Sequence, residues 1–277
     1  MNTKIWFITG ISSGLGKALA QTVIDNGEFV IGTFRNQNQT NEFNALYKGK
    51  AFAITLDITN SVQIERTVQV VKEEFGKIDV LVNNAGFGFA GAIEETSTEE
   101  VKEVFEANFF GTLKLTQTFL PLFRAQKSGH ILQISSHGGF KAFAGFGIYN
   151  ASKFAVEGFS EALAQEIAPL GIQLTIVEPG PFRTNFAGAS FKHAKKTIAD
   201  YTKTAGVFKD LMKQVNGLQE GDPEKAGKAI FDITRLETPP LRLPLGKITL
   251  VTLTSKLNSV KADIDNYKHI AETTVFD

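Results

Sequence analysis

Tyr149 and Lys153, in the run Tyr149-Asn-Ala-Ser-Lys153, are four positions apart and share one face of a helix, so a phenol and an ammonium can enter the same site. A free tyrosine titrates near pH ~10, and an adjacent positive charge favours its phenolate, moving the group toward acid and base work nearer neutrality. The pair recurs by chance, and an ordinary exposed helix pair is the competing reading. Ser136 lies thirteen residues earlier, in Ile134-Ser-Ser-His-Gly-Gly139. That places it at the carboxyl end of an expected strand, where ligands sit in open α/β sheets and a hydroxyl could polarise a carbonyl. Asn108, in Phe105-Glu-Ala-Asn-Phe-Phe110, is an amide among apolar neighbours and needs partners if buried. It could hold a water and the helix backbone in a proton path, or satisfy a local kink.

A second set of residues suits an anion. The turn Thr9-Gly-Ile-Ser-Ser-Gly-Leu-Gly16 follows a short apolar run and opens a helical pattern. Gly10, Gly14 and Gly16 permit a sharp turn and close approach, and the helix start at Ser12, Ser13 and Leu15 offers unpaired N–H groups to a pyrophosphate. The spacing departs from G-x-G-x-x-G, and a plain tight turn is the alternative. The second strand then ends in Gly32-Thr-Phe-Arg-Asn36. A carboxylate there would take a ribose 2′-hydroxyl, whereas an arginine suits a 2′-phosphate. With no carboxylate present and Arg35 offering a planar charged fork beside Asn36, the expected cofactor is NADP(H) in preference to NAD(H).

These residues need a scaffold that delivers strand ends to one edge. Short β-branched or aromatic runs at 4–9, 28–34, 50–56, 79–83, 129–135 and 172–178 alternate with amphipathic stretches, with a last short run at 241–245. Strands apolar on both faces imply helices on both sides. The expected fold class is α/β: a Rossmann-type doubly wound parallel sheet of about seven strands in a three-layer α/β/α arrangement. No linker or repeat divides residues 1–277, so a single domain is expected. Within it, the weakly periodic 185–221 reads as a substrate lid and 247–277 as a C-terminal helical extension. In that extension Leu250, Leu253, Leu257, Val260, Ile264, Tyr267 and Ile270 form an apolar stripe, expected to pack on the domain's own surface in preference to a partner.

Composition narrows the partners. Basic and acidic residues balance at 29 each, which argues against nucleic acid. No run reaches the roughly 18 apolar residues of a membrane span, and with no cysteine the reducing cytoplasm is the default compartment. His130, His137, His193 and His269 have no ligand-like spacing, so no metal is expected.

Taken together, the motifs resemble the short-chain dehydrogenases/reductases. The matching elements run from Thr9 to Thr184: the glycine turn, Asp57, Asn83-Asn-Ala-Gly86, Asn108, Ser136, Tyr149-x-x-x-Lys153 and Pro179-Gly-x-x-x-Thr184. The resemblance implies Tyr149 as proton donor or acceptor, Ser136 as carbonyl orienter, Lys153 as ribose binder and pKa depressor, and Asn108 as water holder. It also implies cofactor contacts at Asp57 and Ile58 by the adenine, at Asn84, Ala85 and Gly86, and at Pro179, Gly180, Phe182 and Thr184, the last by the nicotinamide amide. One departure is Ser13, where many NADPH-preferring members are basic, which leaves Arg35 as the principal clamp. A looser resemblance is to the hydroxysteroid- and retinol-dehydrogenase-like branch. The expected function is interconversion of a small-molecule carbonyl and alcohol with Tyr149 as acid and base. The alternatives are a non-catalytic NADPH-binding redox sensor and a sugar-nucleotide epimerase-like enzyme. Homodimers or homotetramers through the Tyr149 helix and the helix before it are implied too.

Of 24 phenylalanines, eight (Phe87, Phe89, Phe140, Phe143, Phe146, Phe182, Phe186 and Phe191) fall in expected loops after the strands that lead to the site. They either wall a pocket for a bulky apolar substrate or merely reflect a phenylalanine-rich chain.

Overall fold

The computed structural model describes residues 3–188 and 191–276; positions 189 and 190 of the expected lid, and 277 of the expected extension, lie outside them. Seven strands form one parallel sheet: β1 (Ile5–Ile8), β2 (Phe29–Phe34), β3 (Ala51–Thr55), β4 (Val80–Asn83), β6 (Gly129–Ile134), β7 (Ile172–Pro179) and β9 (Arg242–Leu245). Their order is β3-β2-β1-β4-β6-β7-β9. The chain therefore builds outward in one direction from β1 and then in the other from β4. The crevice between those two strands is the switch point at which α/β sheets bind ligands.

Alternation along each strand sorts the side chains into two cores. In β1, Phe7 joins Ile31, Leu81 and Ile131 beneath α3 (Ser61–Phe75), α5 (Gly111–Gln126) and α6 (Gly147–Ile167). Its neighbours Trp6 and Ile8 join Val30, Val82 and Val177 on the opposite face. That face is covered by α1 (Gly14–Asp25), α2 (Gln37–Leu46) and α8 (Pro223–Ile233). Three layers result, as the doubly apolar strands require.

α4 (Thr98–Phe105) runs into α5 through one π-helical turn, Glu106–Phe110, and Asn108 sits in that turn. The excursion after β7 is more ordered than its weak periodicity implies. Its two ends are tied by a bridge between Phe182 and Gly221. Within it, β8 (Lys192–His193) pairs with β5 (Phe89–Ala90), and α7 (Ala205–Val215) follows. The pattern is faint because α7 has only 11 residues and is reached through turns.

α9 (Lys247–Ala271) departs from expectation. Only its base is held, by buried Thr249 and Thr252, with Lys141 Nζ donating to Ser255 Oγ at 3.0 Å. From Leu257 onward every described residue is exposed, so most of the stripe does not pack on the domain's own surface. The body ends beneath the helix base and offers nothing for the later turns to cover.

Candidate active site

The glycine turn is shaped by close approach. A Cβ on Gly16 would lie 2.4 Å from Asn84 Nδ2 and 2.5 Å from the Gly10 carbonyl oxygen, so only glycine fits. Asn84 stitches the two strand ends together: its Nδ2 donates to the carbonyls of Thr9 (2.8 Å) and Gly10 (3.0 Å). The backbone N–H groups of Asn84 and Ala85 donate to Thr9 Oγ1 at 2.8 and 2.9 Å. At the mouth, Ser13 precedes α1 without its side chain capping the helix, and the first turn holds no acidic residue. The N-terminal N–H groups and the positive end of the dipole are thus left for an anion. Thr184 lies across the mouth, its Cβ 3.3 Å from where a Cβ on Gly14 would be. A close-approach turn, an uncapped helix start and a covering threonine fit a dinucleotide pyrophosphate.

Arg35 follows β2, is exposed, and makes no hydrogen bond or ion pair among the described residues. Beside it the Asn36 side chain is committed to the start of α2, accepting from the N–H groups of Asn38 and Gln39. Asp57 Oδ1 accepts from the Thr59 N–H and hydroxyl, and Ile58 is buried against Gly111. Gly180, just past Pro179, donates its N–H to the Leu245 carbonyl at 2.9 Å, which anchors the start of the next loop to β9.

At the ends of β4 and β6 the structure brings Asn108, Ser136, Tyr149 and Lys153 together. The Ser136 hydroxyl lies beside the Tyr149 phenol, whose pKa it draws down, and accepts from the Gly138 N–H at 3.0 Å. Lys153 Nζ donates to the Ile134 carbonyl at 2.8 Å and lies 5.9 Å from the Tyr149 ring centre. Asn108, 1% exposed, clamps Phe87 by accepting from its N–H and donating to its carbonyl, both at 3.0 Å, and donates to Ser152 Oγ at 3.2 Å. The buried amide thus finds partners while occupying a π turn, a distortion common at functional sites. A Cβ on Gly86 would lie 2.9 Å from Asn108 Oδ1 and 3.8 Å from Lys153 Nζ, which makes Gly86 the shared wall of these groups.

The electrostatics differ from the simple expectation of a tyrosine drawn down by a lysine. Desolvation dominates both groups: burial pushes the Tyr149 phenol up, opposed by the nearby Ser136 hydroxyl, and lowers Lys153 to about 8. Glu157, one turn beyond Lys153, supports its ammonium. Behind it Arg242 Nη1 donates to Glu157 Oε2 at 2.5 Å and also pairs with the fully buried Glu178. Sequence reasoning missed this network, although Glu157 shares the face of Lys153 and Arg242 interrupts an apolar strand.

The aromatic residues divide. Phe146 stacks on Tyr149, and Phe186 meets the phenol edge-on at 5.6 Å. Phe143 and Phe191 complete the cluster with Phe208 and Met212 of α7, two further residues that sequence reasoning did not single out. The other four lie elsewhere: Phe87 beneath Lys192, Phe89 in β5, Phe140 beneath Arg242, and Phe182 against Gly221. His130 and His137, which burial lowers to about 4, each contact a threonine hydroxyl, those of Thr175 and Thr252.

Residues 4–195 match the family model of the short chain dehydrogenases. The chain belongs to the short-chain dehydrogenases. A short-chain dehydrogenase from Streptomyces avermitilis superposes with a TM-score of 0.93 at 40% identity, covering 99% of this chain and 100% of that one. A 3-ketodihydrosphingosine reductase of Bacteroides thetaiotaomicron is 36% identical, covering 91% of each chain. An NADPH-dependent 3-dehydrocapnine reductase of Ornithobacterium rhinotracheale is 33% identical over 80% of this chain and 81% of its own. This short-chain dehydrogenase is an oxidoreductase acting on CH–OH and C=O groups with a nicotinamide nucleotide. No helix among the described residues is long and apolar enough to cross a membrane.

Proposed function

We propose that this short-chain dehydrogenase is an NADP(H)-dependent reductase of an apolar, lipid-like ketone, with Tyr149 as the acid and base. The observation that carries the reading is the phenol of Tyr149, beside the Ser136 hydroxyl and packed among Phe146, Phe186 and Phe191. Residues Gly10, Ser12, Ser13, Gly14, Leu15 and Gly16 would hold the pyrophosphate. Asp57 and Ile58 would lie at the adenine, Asn84, Ala85 and Gly86 along the crevice, and Pro179, Gly180, Phe182 and Thr184 over the nicotinamide end. Arg35, with no partner among the described residues and Asn36 beside it, would take the 2′-phosphate. When bound, the cofactor supplies or accepts a hydride at the substrate carbon.

The protein's own groups handle the proton and the charge. Tyr149 remains protonated at neutral pH because burial disfavours the phenolate, so its O–H is available to an oxygen on which charge develops. Ser136 can direct its hydroxyl to the same oxygen, and a preorganised donor is most effective where charge appears during reaction. Lys153, held by Ile134 and supported by Glu157, keeps a positive charge next to the tyrosine and stabilises the phenolate left after transfer. Asn108 fixes the 87 backbone and the π turn beside Lys153, the position from which a water could return the proton.

Access is the remaining requirement. Phe186, Phe191, Phe208 and Met212 all belong to the segment 185–221 and pack in one cluster with Tyr149, so this segment is proposed as the lid that a substrate displaces. An apolar cover suits an apolar ligand. Two relatives, one named for reducing 3-ketodihydrosphingosine and one for reducing 3-dehydrocapnine, point the same way. The test is NADPH oxidation with a series of straight-chain methyl ketones of increasing chain length. kcat/KM should rise at least tenfold from a four-carbon to a twelve-carbon chain; a flat or falling series would rule out the apolar pocket.

A further inference from the structure

The last strand, β9, has the sequence Arg242-Leu-Pro-Leu245, and its register decides where each side chain goes. Arg242 pairs with Ile176 of β7, which belongs to the core beneath α6, and Glu178, two residues on, shares that face. Leu243 and Leu245 take the opposite face and pack on the other core. The arginine of an otherwise apolar strand therefore enters the space between the sheet and the helix that carries Tyr149 and Lys153.

There its guanidinium joins three other parts of the chain. Nη1 donates to Glu157 Oε2 at 2.5 Å and pairs with the fully buried Glu178, while Nη2 donates to Glu161 Oε1 at 2.6 Å. The Phe140 ring, at the end of the turn that Ser136 starts, has its centre 5.2 Å from the guanidinium carbon. Glu157 also packs on that turn: a Cβ on Gly139 would lie 3.0 Å from its Oε1. Glu157 Oε1 and Glu178 Oε2 are buried with no hydrogen-bond partner among the described residues, so both carboxyl groups depend on Arg242. Buried charges of this kind add little stability over apolar packing, and removing one leaves the others uncompensated.

Given Tyr149 as the acid and Lys153 as its supporting charge, on which this inference rests, we propose that Arg242 is a positioning residue for the reduction. It acts through Glu157 on Lys153 and holds α6 against the turn that Ser136 starts. The charged groups around Glu157 are Lys153 and Glu161 on its own helix, Glu178 on β7 and Arg242 on β9, and the Ser135 hydroxyl faces it from the turn. Burial pushes the Glu157 carboxyl up and Arg242 opposes this, so the guanidinium favours the ionised form. The Glu157 charge in turn raises Lys153 against its own desolvation. Without Arg242, burial returns a proton to Glu157 and Lys153 loses its counter-charge.

The carbon-13 shift of the Lys153 Cε, in full-length protein labelled at lysine Cε and assigned by its loss in Lys153→Met, reports this titration without turnover. Arg242→Met and Glu157→Gln should each lower the Lys153 pKa from about 8 by at least ~0.5 unit. In the Glu157→Gln protein, Arg242→Met should lower it no further. The kcat for ketone reduction should fall about tenfold in Arg242→Met, with the ketone KM and the NADPH Kd within about threefold, and Arg242→Lys should recover most of the loss. Retained NADPH binding shows that a variant is folded, and Glu157→Gln, which keeps the side-chain shape, carries the test if Arg242→Met does not fold. A Lys153 pKa unmoved in these variants, or a lowered one with kcat intact, would overturn the proposal. Turnover retained by Tyr149→Phe would remove the acid assignment and the positioning role with it. Turnover lost there, with the Lys153 pKa unmoved by Arg242→Met, would overturn the role of Arg242 alone.

Discussion

Tyr149 and Phe146 lie face to face, their ring centres 4.2 Å apart and their planes 18° from parallel. Phe146 immediately precedes α6 and is three residues from the phenol, so the residue before the helix also shields the Tyr149 side chain from water. Burial is the largest influence on the Tyr149 phenol and raises its pKa. Phe146→Ala should therefore let water in and lower that pKa. With Tyr149 as the proposed acid, carbonyl reduction requires the protonated phenol, so the alkaline fall in kcat/KM should move to lower pH by about one unit. An unshifted pH profile would show that Phe146 does not set the environment of Tyr149.

The proposed preference for NADP(H) rests on Arg35. A carboxylate at that position would repel a 2′-phosphate and accept hydrogen bonds from a ribose. Arg35→Asp should shift the ratio of kcat/KM for NADPH over NADH by at least ~100-fold toward NADH, about 3 kcal/mol. Equal ratios for variant and wild type, measured with one ketone, would remove Arg35 from the adenosine site.

Glu178 gives a stability prediction with a definite sign. Desolvation, with the Glu157 charge adding to it and Arg242 opposing, pushes Glu178 from 4.5 up to about 7. The folded state therefore holds this proton more tightly than the unfolded chain, and the group's contribution to stability is lost as pH rises from about 4.5 to about 7. Glu178→Gln removes the titration and keeps an acceptor for Arg242. The variant should gain about 1–3 kcal/mol over wild type at pH 8, with the gain shrinking toward pH 5. Thermal unfolding at the two pH values checks this; the same difference at both would contradict it.

Much of this was legible in the sequence because strand rhythm and strand-end motifs are local. The runs ending at Thr9, Phe34, Asn83, Ile134 and Pro179 announce both the parallel sheet and the edge where its ligand-facing groups gather. The glycine turn is legible for the same reason, since close packing such as that of Gly16 on Asn84 leaves no other residue type possible. Features that depend on long-range burial were not legible. The raised Tyr149 pKa depends on rings from residues 186 and 191, and the Glu157–Arg242–Glu178 network joins three separate elements. The α9 stripe was legible as a stripe, but its surroundings were not: whether a body lies beneath Leu257 depends on where β9 stops.

Replacing Tyr149 with phenylalanine tests the central claim most directly. Tyr149→Phe removes one oxygen and keeps the ring that stacks on Phe146, so NADPH affinity by titration should stay within about threefold. The rate of ketone reduction should fall by at least ~1,000-fold, the scale of a lost general acid at a preorganised site. Intact NADPH binding with turnover lost is the predicted result; a variant retaining kcat within tenfold of wild type would contradict the assignment of Tyr149 as the acid.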